Sequence, residues 1–591
     1  MEREEFLQVY RHSLAHILAK AVVEIFGKEQ VQYAIGPQIE NGMYYDFVLP
    51  RAVNADDFKT IEDKMREIIK RRENWTRKEV SRTEALELFK DQKFKTELIE
   101  ELPEDETLTV YYTGEDFVDL CRGPHVDNSQ ELMNVAYEIR SVSGAYWRGD
   151  EHRDQMQRIY VYAFPDKNQL KEFKKLLKEA LERDHKKLGP QLDLFMFDET
   201  APGMPYWLPR GWKLFNALLS FWRGIHEEHG YQEIAGPVIS NSKLWKTSGH
   251  WGHYKENMFI IPGEKEDESD YYAAKPMNCP NAILVYKREL RSYRELPMRI
   301  NQVDVIHRKE KSGELNGLFR VQMFRQDDAH ILVTEDQIAD EIKDIMEIAT
   351  EIYNTFGLSY VAELSTRPDD YMGDIEVWNK AEAELKDILN TVYGEGNYEI
   401  NEGDGAFYGP KIDLKMKDAL GREWQMGTIQ LDFQLPLNFE MKYVAQDGTQ
   451  KQPVMIHRAI FGSLERFIGI LIENFKGAFP FWLSPYQVAV VPIRTEHNEY
   501  AKKVVAALKE AGIRVEVDYA DKNMNDKIKA FKTMKDPYIV VVGDKEAAEN
   551  TVSITVRGQK QQLHNVPLEQ LVAMCVKMQK EHMQNLIDTA E

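Results

Sequence analysis

The sequence predicts a multidomain α+β protein, and three observations carry that reading. Residues 1 to about 165 mix helical and strand patterns. Residues 167–188 read as one amphipathic helix, with Leu170, Phe173, Leu177 and Leu181 at helical spacing. After "FPFWLSPYQ" the chain alternates strand and helix with short connections, which predicts a small α/β domain with a largely parallel sheet.

Taken in order, "RHSLAHIL" sets His12 and His16 four residues apart, on one face of a helix. The helix of 167–188 reads as a connector, ended by Gly189-Pro190. From about 190 to 483 runs a large α+β region rich in aromatics. Then "YQVAVVPI" (486–493) reads as a buried strand and "NEYAKKVVAALKEAG" (498–512) as a helix closed by glycine. "IRVEVDY" is a strand, "NDKIKAFKTMK" a helix and "PYIVVVG" a strand.

With 591 residues, 43% of them hydrophobic, the chain can build three or four cores. Its most apolar late segment, "IFGSLERFIGILIENF", is broken by Glu465 and Arg466, so no membrane helix is expected. "MEREEFLQVYRHS" lacks an apolar signal region and is too acidic for a transit peptide. Cys121, Cys279 and Cys575 make no disulfide framework. A cytoplasmic, reducing location is expected. The net charge of -22 argues against a general nucleic-acid binder. Local basic stretches at 68–78, 171–189 and 522–535 still permit basic faces, although each also reads as a solvated helix face.

The chemistry centres on "FRQDDAHIL", where Gln326, Asp327, Asp328 and His330 run into apolar residues. Polar groups that enter a core need partners. Cys279 in "KPMNCPNA" and His457 in "VMIHRAIFG" lie in turn-like or strand-like contexts of the same region. Cys, His and His are three good zinc ligands that leave a fourth position open. No local spacing joins them, and a buried thiol with two core histidines is the plainer reading. Arg308, Glu310, Arg320 and Phe324 fall across a hairpin pattern, and Arg466 opens an apolar helix. Arginines from separate segments suit a polyphosphate, or else surface ion pairs. No P-loop is present. At the front, His12, His16, Cys121 and His125, with Asp119 beside them, offer the ligand types of a second metal site.

Longer motifs add a resemblance. An Arg-Lys-Glu strand, a loop and Phe-Arg-Gln-Asp resemble motif 2 of a class II aminoacyl-tRNA synthetase. "GSLERFIGIL" resembles motif 3, and "GYQEIAGPVIS" with Pro237 resembles motif 1. "KPMNCP", "QDDAHI", "FYGPKID", "WQMGTIQLDF" and "MIHRAIFGSLERF" together resemble the threonyl-tRNA synthetase family, over residues 1 to about 545. The resemblance implies an editing domain over 1–165, a linker helix over 166–189, a class II antiparallel-sheet catalytic domain over 190–483 and an α/β anticodon-binding domain over 484–591.

It also implies roles. Cys279, His330 and His457 would hold one Zn²⁺, which binds threonine through its amino group and hydroxyl. Asp328 would accept from that hydroxyl, with Gln326, Tyr408 and Gln430 around the amino acid. Arg308 would meet the carboxylate and the α-phosphate. Glu310, Arg320 and Phe324 would bind ATP, with Lys411, Gln425 and Arg466 adding contacts and Mg²⁺ assisting. Asp327 is left without a role. His12, His16, Asp119, Cys121 and His125 would line a pocket that hydrolyses seryl-tRNA, with a water nucleophile ahead of Cys121 as a covalent one. Glu546 would touch the anticodon. The implied reaction is threonine–tRNA ligation on tRNA(Thr) by a homodimer, with no membrane partner.

The chain also departs from the family pattern. A small domain of about sixty residues that commonly precedes the first helix is expected to be missing. Asn281-Ala282 replaces Gly-His after the Cys-Pro pair, and Asn316 replaces a common His in the motif 2 loop. In the last domain Lys529 stands at an arginine's place, and Thr555 at another's unless Arg557 is its equivalent. Three competing readings follow: a catalytically inactive paralogue acting as an RNA-binding or regulatory module, an editing-only hydrolase, and a ligase with altered tRNA choice.

Overall fold

The computed structural model describes residues 3–583, apart from 105, 151, 419 and 420. The chain forms two compact units, Met1–Glu179 and Ala180–Glu591.

In the first unit, helix Arg3–Phe26 lies with helix Ala55–Lys70 on a sheet. That sheet runs Gln32–Tyr33, Gly42–Val48, Gln155–Phe164, Ala136–Tyr146, with Gln38–Ile39 beside Gly42–Val48. Helix Ala55–Lys70 starts where Asn54 caps it and Asp57 returns the bond, a capping box. Its Ile61, Met65 and Ile68 join Leu14, Leu18, Met43 and Phe47 in one core. A second sheet, Trp75–Val80, Leu108–Thr113 and Phe117–Leu120, carries Asp119.

The single helix expected over 167–188 is two. Lys167–Arg183 is followed by His185–Gln191, and Pro190 sits inside the second rather than ending the first. The break is at Asp184, whose carboxylate accepts from Lys186 N at 2.8 Å and caps a new start. The turn out comes at Asp193, with φ of 54°.

The second unit is built on an eight-stranded sheet. Its order is Gln232–Glu233, Met298–Gln302, Asp328–Val333, Val454–Ala459, Glu423–Asp432, Lys411–Lys417, Tyr360–Ser365, Glu399–Asn401. Pairing is antiparallel except at the two outermost strands. Helices Pro209–Glu228, Ile338–Thr355, Ile375–Tyr393 and Leu464–Asn474 bury Trp222, Ile345, Leu385 and Phe467 in one core with Ile331, Leu414, Ile429 and Ile456 of the sheet. Asp328–Val333 and Val454–Ala459 are buried at every residue, as a central strand must be when both faces are covered.

The last five strands make their own sheet. Val515–Val517, Val488–Pro492 and Tyr538–Val542 are parallel, as expected. The strands Thr551–Val556 and Gln562–Pro567 add an antiparallel hairpin that the strand–helix alternation did not announce. Gly558, at φ of 83°, turns it. No helix among the described residues is long and apolar enough to cross a membrane.

Candidate active site

Strand register assembles the centre. His330 lies opposite His457, His457 opposite Gln430, and Gln430 opposite Lys411. Residues directly opposite in a ladder share a face, so four residues scattered in sequence form one lateral row. Cys279 reaches the row from the first residue of helix Cys279–Tyr286, not from the turn or strand expected. Its thiol and the two imidazoles bring one ligand atom each within 4.8 Å of one another.

All three are buried. Burial pushes the Cys279 thiol well above its ordinary range and the His330 imidazole well below its own. His330 Nδ1 is buried with no hydrogen-bond partner among the described residues. One thiol, two imidazoles and an orphaned ring nitrogen fit a tetrahedral zinc with one open position. The sequence reading missed Asp432. Its Oδ2 accepts from His457 Nε2 at 2.8 Å, and its Oδ1 accepts from Gln434 N at 2.7 Å and Leu435 N at 3.0 Å. A carboxylate behind a ligating histidine fixes its tautomer and orientation.

The two neighbouring aspartates do different work. Asp328 lines the cavity beside His330, at 3.7 Å from its Nε2. Burial lifts its carboxyl to about 6 against the pull of His457. Asp327 points the other way. Both its oxygens accept from Ile460 N, at 3.1 and 2.9 Å, so it ties the strand to the entry of motif 3. Burial lifts it to about 7.

Two cavities meet here. One of about 170 Å³ is lined by Cys279, Asp328, His330, Tyr408, Gln430 and His457. The other, of about 300 Å³, is lined by Glu310, Arg320, Phe324, Gln425, Ser463 and Arg466. Arg308, Gln326 and Thr428 line both. Arg308 sits 5.3 Å over the Phe324 ring and donates to Pro276 O at 3.2 Å. Arg466 donates to Phe319 O at 3.0 Å and Gln425 O at 3.3 Å. Its guanidinium is held below its ordinary range by burial and by Arg308 and Arg320. Such a concentration of positive charge suits an anionic ligand. Arg320 is paired with Glu310 at 2.9 Å and Glu314 at 2.8 Å. Lys411 lines neither cavity and is paired with Asp413 at 2.6 Å and Asp404 at 3.0 Å. Asp413, also unread in the sequence, accepts from Gln425 at 2.7 Å and Thr428 at 2.8 Å, and so holds that edge together.

The front cluster forms too, in the first unit. Cys121 Sγ is 3.1 Å from His12 Nε2 and 3.2 Å from His125 Nε2. Ser13 Oγ is 3.1 Å from His125 Nδ1. His16 Nε2 lies 3.5 Å from Asp119, which Tyr45 Oη approaches at 2.5 Å and the buried Lys95 pairs. Lys95 and Tyr45 were missed because nothing local marks them. Burial lowers His12, His16 and His125 and raises Cys121 to about 12. The pocket therefore holds neutral imidazoles and a thiol at neutral pH.

In the last domain, Glu546 accepts from Gly543 N at 3.0 Å and Ser553 Oγ at 2.8 Å. Arg557 is turned inward. Its guanidinium donates to Lys535 O, Phe479 O and, at 3.2 Å, Ala478 O. It therefore fastens this domain to residues 478–479.

Comparison with known proteins agrees with this architecture. Residues 260–475 match the tRNA synthetase class II core domain (G, H, P, S and T). Residues 487–578 match an anticodon binding domain, and 108–160 the threonyl and alanyl tRNA synthetase second additional domain. The threonine–tRNA ligase of Thermotoga maritima is 50% identical over 95% of this chain and 86% of its own length. That of Clostridioides difficile is 48% identical over 98% and 89%. Among solved structures, the RNA binding domain of threonyl-tRNA synthetase from Cryptosporidium parvum superposes with a TM-score of 0.64 at 40% identity, covering 69% of this chain and all of that one. On the strength of that identity over nearly its whole length, the chain belongs to the threonine–tRNA ligase family.

Proposed function

We propose that the chain joins threonine to tRNA(Thr) in two steps. The threonine carboxylate attacks the α-phosphorus of ATP, forming threonyl-adenylate and expelling pyrophosphate. A ribose hydroxyl of the tRNA's 3' adenosine then attacks the carbonyl carbon and AMP leaves. The observation that carries this reading is the junction at Arg308, Gln326 and Thr428, shared by a metal-ligand cavity and an arginine-rich one. Such a junction lets one guanidinium hold carboxylate and α-phosphate together, and positioning of this kind supplies much of the rate.

Arg308 and Arg466 neutralise charge on the phosphates with Mg²⁺, and Glu310, Arg320, Phe324 and Gln425 seat the nucleotide. Lys411 acts from the edge of the site through its pair with Asp413. Cys279, His330 and His457 would hold a zinc ion, which would supply Lewis acidity toward threonine's amino and hydroxyl groups. Asp328 accepts a hydrogen bond from the hydroxyl, while Gln326, Tyr408 and Gln430 close around the amino acid; Gln430 donates to Gly409 O at 2.9 Å and so steadies the Tyr408 loop. A site built for the hydroxyl rejects valine by leaving polar groups unpaired, whereas serine lacks only a methyl, worth roughly 1–3 kcal/mol. His12, His16, Asp119, Cys121 and His125 then position water to hydrolyse seryl-tRNA. Glu546 contacts the anticodon through lone pairs left after its two local bonds. The motif 1 segment of 230–240 supports a homodimer, and kinship with threonine–tRNA ligases, which serve translation, supports a cytoplasmic site.

The test is amino-acid-dependent ATP–pyrophosphate exchange. Strong exchange with threonine, weaker exchange with serine and none with valine is the expected result. No exchange from folded, zinc-loaded protein would overturn the reading in favour of an inactive RNA-binding paralogue.

A further inference from the structure

The turn at Asp184–Lys186 reaches into the loop that forms the floor of the nucleotide cavity. His185 is fully buried. Its Nδ1 lies 2.8 Å from Glu473 Oε1, which also accepts from His185 N at 3.1 Å. Its Nε2 accepts from Leu318 N at 3.0 Å. This arrangement fixes the tautomer, with the proton on Nδ1 and the lone pair on Nε2. Glu473 closes the far end of the motif 3 helix, and its other oxygen takes Arg422.

Asp184, His185 and Glu473 come close enough to hold a metal ion, but the imidazole has no lone pair to spare. The ring nitrogen has Leu318, one oxygen of Glu473 has two donors and the other has Arg422. The group is a brace.

What it braces is specific. The His185 ring packs 4.0 Å from Phe319, and Phe319 packs 4.4 Å from Trp424. The carbonyl of Phe319 receives Arg466 at 3.0 Å, and the next residue, Arg320, lines the cavity. Lys186 donates to Asn316 Oδ1 at 3.0 Å, so the loop's unusual asparagine is engaged by the same turn. Asn316 N in turn donates to Arg320 O at 3.2 Å. Between them Gly317 has φ of 53°, and a Cβ there would stand 2.3 Å from His185 Nε2. The loop and the imidazole are thus fitted to each other with no spare room.

We infer that His185 is a positioning residue for ATP: it fixes residues 316–320 so that Arg320 and Arg466 face the nucleotide. The inference rests on the nucleotide-site reading above. Removing the imidazole leaves Leu318 N as a buried donor without an acceptor and frees Phe319 to shift, loosening both arginines.

The experiment is threonine-dependent ATP–pyrophosphate exchange on the full chain, with KM for ATP, KM for threonine and kcat resolved separately. The active fraction is counted by the adenylate burst. His185→Ala raises the KM for ATP about tenfold, the cost of one unsatisfied buried donor, with the KM for threonine within about twofold. His185→Gln places an acceptor near the Nε2 position and recovers most of the loss. Gly317→Ala strikes the same contact from the loop side and raises the KM for ATP as well. The double variant loses less than the two single losses multiplied, because His185→Ala removes the ring that the new Cβ would meet. A purely structural role predicts a smaller active fraction with the KM values unmoved. That outcome, in His185→Ala or in Gly317→Ala should the first not fold, overturns the inference alone. Absence of exchange in the wild-type chain overturns the functional reading and this inference with it.

Discussion

Asp432→Asn keeps the shape of the residue and changes only its donor and acceptor pattern. Asp432 is fully buried and accepts three bonds, from His457 Nε2, Gln434 N and Leu435 N, at 2.8, 2.7 and 3.0 Å. An amide cannot accept on both sides. If its NH₂ faces His457, it donates to Nε2, and the ring proton moves to Nδ1, the nitrogen left for a metal. If its NH₂ faces the backbone, it meets two N–H donors. The first orientation puts a proton on the metal-facing nitrogen; the second sets donor against donor, and such a buried mismatch costs about 1–3 kcal/mol. Loss of a carboxylate behind a ligating histidine weakens metal affinity by roughly 10–100-fold, or about 1.4–2.8 kcal/mol. The assay is competition for zinc against a chelator of known affinity, alongside threonine-dependent exchange at fixed free zinc. We expect weaker zinc affinity by that factor, and exchange restored by raising free zinc. Unchanged affinity in a variant that melts with the wild type would refute the reasoning, because His457 would then need no partner to present its nitrogen.

Three other expectations follow from the described contacts. Asp327 is raised to about 7 against an unfolded value near 3.8, so the folded chain binds the extra proton and stability falls as pH rises through about 4 to 7; Asp327→Asn should flatten that slope, and thermal melts giving parallel curves from pH 5 to 8 would contradict it. Cys121→Ser should leave seryl-tRNA hydrolysis within about tenfold of wild type, since a thiol held near 12 is not an ionised nucleophile; a loss of a hundredfold or more would make Cys121 covalent. Arg557→Ala removes three donations to backbone carbonyls of residues 478, 479 and 535, each worth about 1.5–3 kcal/mol when the donor is charged; a lower Tm and faster proteolysis near 484–487 should follow, and an unchanged cleavage pattern would count against the clasp.

Much of this protein is legible in its sequence, though unevenly. Strands such as Val488–Pro492 and helices such as Asn498–Glu510 are carried by local apolar patterning, which the fold preserves. The metal trio is different. Cys279, His330 and His457 have no spacing to read, because their proximity is created by a strand pairing and a helix start far apart in the chain. Asp432 and Lys95 escaped for the same reason: each matters through a partner brought near only by the fold. The helix of 167–188 was misjudged because Gly-Pro is the louder local signal. Asp184, a capping residue whose neighbour is gripped by Glu473, makes the real break. Asp327 and Asp328 look alike in sequence, and the strand's alternation sends one to the motif 3 entry and the other to the cavity.

The row of His330, His457, Gln430 and Lys411 also sets where this chain can tolerate change in length. Side chains alternate faces along each strand, so adding or deleting one residue inside any of these four strands would turn a member of the row to the opposite side of the sheet. Growth and shrinkage must therefore be absorbed outside these four strands, in stretches such as 366–410 and 433–453, which hold no member of the row. A lineage of such proteins is thus free to lengthen its connections while its four strands keep count, and the site persists as a matter of parity.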